Sequence, residues 1–252
     1  MIRAGIIGGS GYTGGELIRL LINHPKVEID FVYSRTKAGK KSSGTHADLV
    51  GTSDLAFSDS INPEVDILFL CLGHGNSKSF LSEYSFSSKT KIVDLSNDFR
   101  LMQDASFSGK DFVYGLPELN KNTITSAEYI ANPGCFATCI QLALLPLADA
   151  KLLNSEVHIN AVTGSTGAGV MPSPTTHFSW RNNNASLYKA FTHQHLGEIN
   201  ESLESLQEDI GELFFIPNRG NFSRCILSTA YTRFEGSDAE ASDLYHEFYK
   251  DA

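Results

Sequence analysis

Cys135 stands where a cysteine thiol is activated by its surroundings. It follows the turn Asn132-Pro133-Gly134 and begins a segment that we predict to be helical as far as about Ala148. Unpaired backbone N–H groups and the positive end of the helix dipole favour the thiolate, which is the nucleophilic form of cysteine. We therefore predict a nucleophile at Cys135, while the sequence alone leaves a packing role for this residue open.

The remaining cysteines suit packing rather than chemistry. Cys139 lies one turn beyond Cys135 on the same helix face, Cys71 lies inside an apolar strand, and Cys225 lies in a late strand. Free cysteine behaves as a small apolar residue in such places, so we expect a packing role for Cys139 and core positions for Cys71 and Cys225. Their wide spacing is no disulfide framework, and reduced thiols are expected.

His193 and His195 form an H-x-H pair directly before a predicted helix, LGEINESLESLQEDI. This spacing can bind a metal, but no cysteine or acidic cluster accompanies it, so we predict no metal site. A general acid or base beside a thiolate is the better functional interpretation of the pair. A surface or helix-capping role stays open for each histidine.

The segment GSGYTG, from Gly9 to Gly14, fits the pattern G-x-G-x-x-G. It directly follows a predicted strand and opens a predicted helix, as dinucleotide binding requires; an ordinary glycine-rich turn is the alternative. Gly9 permits a tight turn, and Gly11 lets the backbone approach a pyrophosphate, which the helix N-terminus then stabilises. We predict that the cofactor is contacted by Gly9, Ser10, Gly11, Tyr12, Thr13 and Gly14.

The end of the second predicted strand indicates which dinucleotide is bound. NAD-preferring folds usually place an acidic residue there, but this sequence has Ser34 and Arg35, and Asp30 comes too early. A hydroxyl and a guanidinium suit a 2′-phosphate, because arginine offers bidentate hydrogen bonds to phosphate oxygens. We predict NADP as the cofactor, with Ser34 and Arg35 at its 2′-phosphate; a solvated basic loop is the alternative.

The elements that position these residues change in type along the chain. Early apolar strands alternate with helices, which implies a parallel sheet with right-handed crossovers. We place these strands at Ile2–Gly8, Val27–Tyr33, Val65–Leu72 and Lys91–Leu95. Beyond Val157, longer strands with partial alternation are typical of an antiparallel sheet. We predict an α/β fold with a domain boundary near Gly134, which divides the chain into 1–134 and 135–252.

Bulk properties exclude several classes of partner. The 252 residues are enough for one large or two small domains, and the net charge of −9 argues against a nucleic-acid partner. No apolar run approaches the roughly 18–20 residues that cross a bilayer, and the N-terminus has no signal-peptide pattern. We therefore expect a cytoplasmic protein that acts on small molecules, with neither nucleic acid nor membrane as a partner.

Several strings occur together in the order GSGYTGGEL, DLSNDFR, YGLPEL, NPGC, GSTGAG and HQHLGEI. They resemble N-acetyl-gamma-glutamyl-phosphate reductase, the NADP-dependent enzyme of arginine biosynthesis, over essentially the whole chain. NPGC and YGLPEL are far more specific than the glycine loop. The resemblance implies a Rossmann-type NADP-binding domain followed by an α+β catalytic and dimerisation domain with a mostly antiparallel sheet, as in aspartate-semialdehyde dehydrogenase.

The resemblance also implies roles for individual residues. It makes Cys135 the nucleophile that accepts the acyl group, His195 the acid and base, and His193 a neighbour that positions the substrate. Glu198, from the same H-x-H-x-x-E-I string, is expected at the substrate as well. The partners implied are an N-acyl-gamma-glutamyl phosphate or its semialdehyde, phosphate, and further copies of the chain in a dimer or tetramer.

An anionic acyl phosphate requires cations at the site. Arg100, Arg181 and Arg224 are the candidates, and Arg224, in the string SRCIL where the family often has RG, is favoured. A surface salt bridge is the alternative for each of them.

The end of the sequence leaves other interpretations open. Family members usually continue through a segment resembling DNLxKGAAGQAxQ, which has no counterpart here, so we expect a truncated or incomplete version of a longer protein. The alternatives are a reductase of the aspartate-semialdehyde dehydrogenase type and a non-catalytic NADP-binding homologue. YGLPEL and the H-x-H pair argue against the first, and the retained Cys135 and His195 argue against the second.

Overall fold

The computed structural model describes residues 1–251 and divides them into two compact units. Unit 1 comprises Met1–Gly115 and Thr123–Asn132, and unit 2 comprises Leu116–Asn122 and the chain from Pro133 onward. Over the described residues, none of the helices combines the length and the hydropathy that crossing a membrane demands. The assignment of separate functions to 1–134 and 135–252 stays a prediction.

Unit 1 is built on a seven-stranded sheet with the order β2-β1-β3-β4-β7-β6-β5. Its strands are β1 (Ile2–Ile7), β2 (Val27–Tyr33), β3 (Ile67–Leu70), β4 (Lys91–Asp94), β5 (Ser106–Phe107), β6 (Lys110–Tyr114) and β7 (Tyr129–Ala131). Every pairing is parallel except the short hairpin between β5 and β6. The predicted parallel sheet is therefore confirmed.

Apolar side chains cover both faces of this sheet. Along β2, Phe31 and Tyr33 join a buried cluster with Phe80, whereas Val32 joins a second cluster with Ile18. Successive residues of a strand point to opposite faces, so each cluster lies on its own face. Phe80 belongs to α2 (Ser77–Glu83) and Ile18 to α1 (Tyr12–Leu21), while α3 (Pro117–Ser126) links the two units.

Several elements of unit 1 differ from the sequence prediction. The apolar run Val65–Leu72 forms a strand only over Ile67–Leu70, and the hairpin β5–β6 and helix α2 were not predicted. These elements are short, and a few residues carry too little periodicity to be recognised. The start of α2 is fixed by a tertiary contact and not by apolar periodicity. Asp98 accepts hydrogen bonds there from the backbone N–H groups of Ser77 and Lys78.

Unit 2 packs helices against a four-stranded sheet with the order β11-β8-β10-β9. Its strands are β8 (Val157–Thr163), β9 (Ser186–Leu187), β10 (Leu213–Arg219) and β11 (Ile226–Tyr231), and its helices are α4 (Cys135–Asp149), α5 (Phe178–Arg181), α6 (His195–Glu204) and α7 (Asp238–Tyr249). Two of the three pairings are antiparallel, and β8 pairs with β10 in parallel. The prediction of a mostly antiparallel sheet is confirmed, but the sheet is mixed.

Helix α4 is buried over most of its length although Pro146 interrupts its hydrogen bonds. Proline has no N–H, so the carbonyl of Leu142, four residues earlier, loses its helical donor. The hydroxyl of Tyr249 in α7 donates to that carbonyl at 2.6 Å, and the Tyr245 hydroxyl donates to the Ala143 carbonyl at 2.5 Å. Tyr249 of α7 therefore replaces the donor that Pro146 lacks, and Tyr245 adds a bond to the next carbonyl of α4.

The prediction of a core position for Cys225 is wrong. Cys225 is exposed and directly precedes β11, with φ at 80°. The apolar run that follows it suggested a longer strand, but this left-handed residue turns the chain before the strand begins.

Candidate active site

Cys135 is the first residue of α4 and is exposed, although Phe136 and Ala137 directly after it are buried. Gly134 before it has an extended backbone, with φ −67° and ψ 149°, so the chain turns sharply into the helix. The first N–H groups of a helix have no acceptor within it, and they point toward whatever lies at its start. The Cys135 side chain therefore lies at the positive end of a 15-residue helix.

Gly134 is the point at which α4 and α6 meet. Its N–H donates to Glu198 Oε2 at 2.9 Å, and Glu198 Oε1 lies 3.8 Å from His195 Nε2. A Cβ atom at position 134 would lie 2.5 Å from His195 Nε2 and 2.6 Å from Glu198 Oε1, so only glycine fits against these two side chains. This contact places His195 and Glu198 against the residue that precedes Cys135, and the catalytic roles of all three stay predictions.

His193 and His195 form a buried aromatic group with Phe136. The two imidazole centroids lie 4.6 Å apart, and the N–H of His195 donates to His193 Nδ1 at 3.2 Å. Burial lowers the pKa of His193 to about 4, and the charges of Lys189 and Arg219 lower it further in the same direction. His193 is therefore neutral near pH 7 and accepts, through Nδ1, a bond that orients the start of α6.

The environments of the other cysteines separate them from Cys135. Burial, followed by the charge of Asp94, raises the pKa of the Cys71 thiol to about 12. Burial and the neighbouring Cys135 raise the pKa of the half-buried Cys139 thiol. Both shifts disfavour the thiolate, which agrees with a packing role for these two residues.

The glycine-rich segment forms a tight cradle at the start of α1, whose N-cap is Gly11. A Cβ atom at Gly9 would collide with the side chain of Val32, and one at Gly14 would lie 2.6 Å from Gly9 Cα. Ser10 Oγ lies 3.1 Å from Ser34 Oγ, a hydrogen bond that joins this loop to the end of β2. The backbone-lined surface at a helix start fits a pyrophosphate, and Tyr12 and Thr13 occupy the first turn there.

Arg35 follows β2, and its guanidinium is already engaged by neighbours in unit 1. Nε donates to Tyr33 Oη at 3.0 Å, and Nη2 lies 2.9 Å from Glu83 Oε2 and 3.4 Å from Tyr84 Oη. The side chain remains exposed. Its contact with a 2′-phosphate stays a prediction, and such a phosphate would compete with Glu83 for the guanidinium.

The structure places Arg100, Arg181 and Arg224 in different settings. Arg100 is buried in unit 1 and donates to the carbonyls of Asn132 at 2.9 Å and Leu95 at 3.0 Å. Arg181 is buried in unit 2 and likewise bonds backbone carbonyls, whereas Arg224 is exposed before β11. Substrate contacts for Arg100, Arg224 and Glu198 stay predictions. Arg100 and Glu198 also stabilise the fold, because both hydrogen-bond to backbone groups.

His46 has a role that its sequence context did not reveal. It comes from the loop between β2 and β3, and its buried Nε2 lies 2.8 Å from the carbonyl oxygen of Gly9. A carbonyl can only accept, so Nε2 carries the proton. A Cβ atom at Gly15 would lie 2.5 Å from His46 Cε1, so this glycine is what lets the ring approach the loop. No local motif marks such a contact.

Tyr188 and Arg219 were also not identified from the sequence as neighbours of the histidine pair. The Arg219 guanidinium carbon lies 4.4 Å from the centroid of the Tyr188 ring, which in turn lies 5.7 Å from the His193 ring and 6.5 Å from the Phe136 ring. Burial raises the pKa of Tyr188, and the positive charge of Arg219 opposes that rise. These two residues are linked to the histidine pair by contacts in the folded protein, and no spacing in the sequence indicates those contacts.

Two family models together match nearly the whole chain. Residues 3–127 match the semialdehyde dehydrogenase NAD binding domain, and residues 135–252 match the semialdehyde dehydrogenase dimerisation domain. The glycine cradle lies in the first match, and Cys135 begins the second.

Two curated relatives are similar to this chain over almost its whole length. The chain is 65% identical over 251 residues to the N-acetyl-gamma-glutamyl-phosphate reductase of Flavobacterium johnsoniae, and 60% identical over 253 aligned positions to that of Christiangramia forsetii. The alignments cover 99% and 100% of this chain, and 77% and 78% of the relatives.

Solved structures share the fold at low identity. Aspartate semialdehyde dehydrogenase II of Vibrio cholerae, complexed with ASA, superimposes with a TM-score of 0.70 at 14% identity, covering 97% of this chain and 78% of that one. The Candida albicans aspartate semialdehyde dehydrogenase, solved with NADP, has a TM-score of 0.66 at 16% identity, covering 100% and 76%.

Proposed function

Because the chain belongs to the N-acetyl-gamma-glutamyl-phosphate reductase family of semialdehyde dehydrogenases, we propose that it reduces an N-acyl-gamma-glutamyl phosphate to the semialdehyde through a thioester on Cys135. The observation that carries this mechanism is the exposed thiol at the start of α4, beside a buried histidine and a turn fixed by Glu198. The place of this reaction in arginine biosynthesis is part of the same proposal.

The thiolate of Cys135 attacks the acyl carbon, and a tetrahedral oxyanion forms. The N–H groups at the start of α4 and a protonated His195 stabilise the negative charge on its oxygen. The carbonyl re-forms as the bond to phosphate breaks, leaving an acyl thioester on Sγ and free phosphate. Preorganisation explains the buried position of His195, because a ring held against Gly134 cannot turn away from the oxyanion.

The second half of the reaction returns the enzyme to its thiolate. The cofactor NADPH, when bound, supplies hydride to the thioester carbon. Protonated His195 gives its proton to the resulting alkoxide, which forms the thiohemiacetal hydroxyl group, and takes the proton back as the carbonyl re-forms. The carbon–sulfur bond breaks, the semialdehyde departs and Cys135 regains its negative charge. His193, which is neutral, keeps the backbone of His195 in place.

Glu198 acts on this group as a positioning residue in the proposal. Its two oxygens are directed to the Gly134 N–H and toward His195 Nε2, and its side chain is 3% exposed. A carboxylate in that position orients the imidazole and stabilises its protonated form. The same residue holds the turn that presents the thiol.

The residues of unit 1 fit a dinucleotide, and we propose that it is NADP. The glycine cradle receives the pyrophosphate at the start of α1, and glycine at positions 9 and 14 lets the turn close there, because a Cβ atom would collide with Val32 or with the backbone of Gly9. Ser34 and Arg35 receive the 2′-phosphate at the end of β2. The chemistry requires reduced thiols, and for that reason we place the protein in the cytoplasm.

We propose that the active form is a homo-oligomer in which a second copy covers the open face of the unit 2 sheet. Leu227 and Tyr231 of β11 are 72% and 67% exposed, and Phe191, which lines one surface hollow with Tyr231, is 54% exposed. Exposed large apolar side chains on one face of a sheet are typical of a subunit interface. The match to a dimerisation domain supports the same assignment.

The test is a phosphate-dependent assay of NADP⁺ reduction with N-acetylglutamate semialdehyde, run beside aspartate semialdehyde. We expect turnover with the first substrate, dependence on phosphate and a clear preference over the second. A preference for aspartate semialdehyde would make the chain a different semialdehyde dehydrogenase. No turnover, together with no substrate protection of Cys135 against thiol labelling, would indicate a non-catalytic homologue.

A further inference from the structure

The first turns of helix α4 are less buried along one narrow stripe than over the rest of their surface. The stripe begins at the exposed Cys135 and continues through partly buried positions, whereas the residues between them are buried. These positions are Thr138, Cys139, Leu142 and Ala143. A repeat of three and four residues marks one face of a helix. Cys135 and Cys139 therefore share this face, one turn apart, and an ion in solution reaches both thiols.

The two thiols are too far apart for a relaxed disulfide but are well placed for a bridging ion. Side chains at positions i and i+4 of a helix have Cβ atoms about 5–6 Å apart, whereas a disulfide brings them to about 3.5–4.5 Å. A bond from zinc to a thiolate is about 2.3 Å long, so an ion bound linearly between two sulfurs at that distance holds them about 4.6 Å apart. The spacing of Cys135 and Cys139 along α4 therefore favours one atom between the sulfurs over a direct bond.

The electrostatics of the pair favour a cation between the sulfurs. Burial raises the pKa of the Cys139 thiol, and the negative charge of Cys135 raises it further. Two thiolates at these positions therefore repel each other, and a cation bound to both removes that repulsion. The backbone N–H of Ser228 in β11 acts in the opposite direction and lowers the pKa of Cys139 by hydrogen bonding. A thiolate at Cys139 thus has one hydrogen-bond donor already in place.

The set of donors determines which ion fits. Both donors are thiolates, which are soft ligands and select monovalent copper over hard cations. A structural zinc site needs four ligands. Among residues 1–251, no group of three or more histidine, cysteine, aspartate or glutamate side chains is arranged to hold a metal ion. Monovalent copper is satisfied by two sulfurs, so this pair is sufficient for it.

We propose that Cys135 and Cys139 form a two-sulfur site for a monovalent copper ion, and that the bound ion blocks the nucleophile. The ion bonds to the thiolate of Cys135 and to the sulfur of Cys139, whose proton passes to water. No electron is transferred, and the bridge carries one net negative charge at the positive end of α4. The block of catalysis rests on the proposed function, whereas the binding of copper does not and is measured without turnover.

The first experiment measures, without oxygen, how the protein withdraws monovalent copper from its coloured complex with bicinchoninate. We expect the wild type to withdraw one ion per chain, and Cys139→Ser to raise the copper Kd about 100-fold or more, because the second thiolate binds intramolecularly. Cys225→Ser, which removes an exposed cysteine of the same unit, is the control and should leave the Kd unchanged. A wild type that withdraws no copper, or a Cys139→Ser variant with the wild-type Kd, would overturn the proposal.

The second experiment tests whether the helical spacing of the thiols decides the affinity. In the Cys139→Ser background, Thr138→Cys places a thiol three residues from Cys135 on the same face, and Ala143→Cys places one eight residues away, about 12 Å along the helix. We expect Thr138→Cys to restore most of the lost affinity and Ala143→Cys to restore none. Equal copper Kd values for the two double variants would refute a bridge between thiols one turn apart.

Labelling of Cys135 by iodoacetamide separates a lost copper site from a disturbed helix. Without copper, the labelling rate of Cys139→Ser should match that of the wild type, and Cys139→Ala is the second variant if serine disturbs the packing of α4. With one equivalent of copper, labelling should stop in the wild type and continue in the Cys139 variant. Copper that binds while Cys135 is still labelled would overturn the block. If the wild type turns over no glutamyl semialdehyde, the proposed function fails, and the copper Kd and the labelling still decide on this site.

Discussion

At the scale of single residues, the thiol of Cys135 is set apart by its exposure at the start of α4. We expect Cys135→Ser to fold and bind NADPH but to lose reduction of the acyl phosphate, because a hydroxyl is far less ionised near neutral pH. The measurements are kcat for reduction and the NADPH Kd by fluorescence. Cys139→Ser is the control and should be far milder. A serine variant with most of the wild-type activity would remove Cys135 from the mechanism.

The two histidines are expected to contribute unequally. His195 lies against Gly134, whereas His193 is neutral and bonds the backbone of His195. We expect His195→Asn to lower kcat by about 10²–10⁴-fold, as for loss of an acid/base group, and His193→Asn to lower it much less. Stopped-flow measurement of hydride transfer checks the ranking. If His193→Asn had the larger effect, the acid/base role would move to His193.

A sequence indicates a functional residue best when the residues directly around it predict its structural setting. Cys135 and the H-x-H pair are flanked by a turn and helix starts, so their positions at helix starts could be predicted, while their catalytic roles stay predictions. The contacts of His46 and Arg219 could not be predicted, because Gly9 and Tyr188 lie far away along the chain. A single sequence shows which side chains are present and does not show which of them meet.

At the scale of elements, the end of β2 is expected to set the choice of cofactor. We expect NADPH to be preferred over NADH, and Arg35→Ala to narrow the gap in kcat/KM between the two cofactors mainly through KM, because in our proposal the guanidinium binds the 2′-phosphate. Comparison of kcat/KM for both cofactors is the measurement. Glu83→Gln is the matched variant and should widen the gap, since Glu83 competes for Arg35. Equal use of NADH by the wild type would refute the assignment.

The loop between β2 and β3 is expected to set the shape of the glycine cradle. A trans peptide directs its C=O and the next N–H to opposite sides, so the bond from His46 to the Gly9 carbonyl turns the Ser10 N–H away from His46. We expect His46→Leu to raise the NADPH Kd about tenfold and His46→Gln, which keeps an N–H donor, to raise it little. Isothermal titration checks both variants. His24→Leu, an exposed histidine, is the control; equal Kd values for Leu and Gln at position 46 would contradict the role.

Long elements with many apolar positions were predictable, whereas short elements and the ten-residue helix α3, which has no buried residues, were not. The strand Val27–Tyr33 and the helix from Cys135 carry enough apolar positions to be recognised. The hairpin β5–β6 and helix α2 are fixed by tertiary contacts, such as the Asp98 carboxylate at the start of α2. The left-handed residue before β11 likewise has no signature in the sequence, which is why Cys225 was misplaced.

At the scale of the whole molecule, the open face of the unit 2 sheet is expected to control assembly. We expect Leu227→Glu to shift the protein toward monomer, because a charge buried in a subunit interface loses its hydration. Sedimentation velocity at several concentrations is the measurement. Leu20→Glu, at a comparably exposed position in α1, should leave the sedimentation coefficient unchanged. A wild-type protein that stays monomeric at micromolar concentration would remove the interface from the proposal.

The bond between Gly134 and Glu198 joins residues that are 64 positions apart. At a synthesis rate of about 5–20 residues per second, a ribosome needs about 3–13 s to pass from one to the other. A nascent chain in that interval has neither the acceptor that fixes the Gly134 turn nor the imidazole beside it. We therefore expect the Cys135 thiol to reach its full reactivity toward substrate only after α6 has emerged and docked on α4, although the start of α4 can activate it in part.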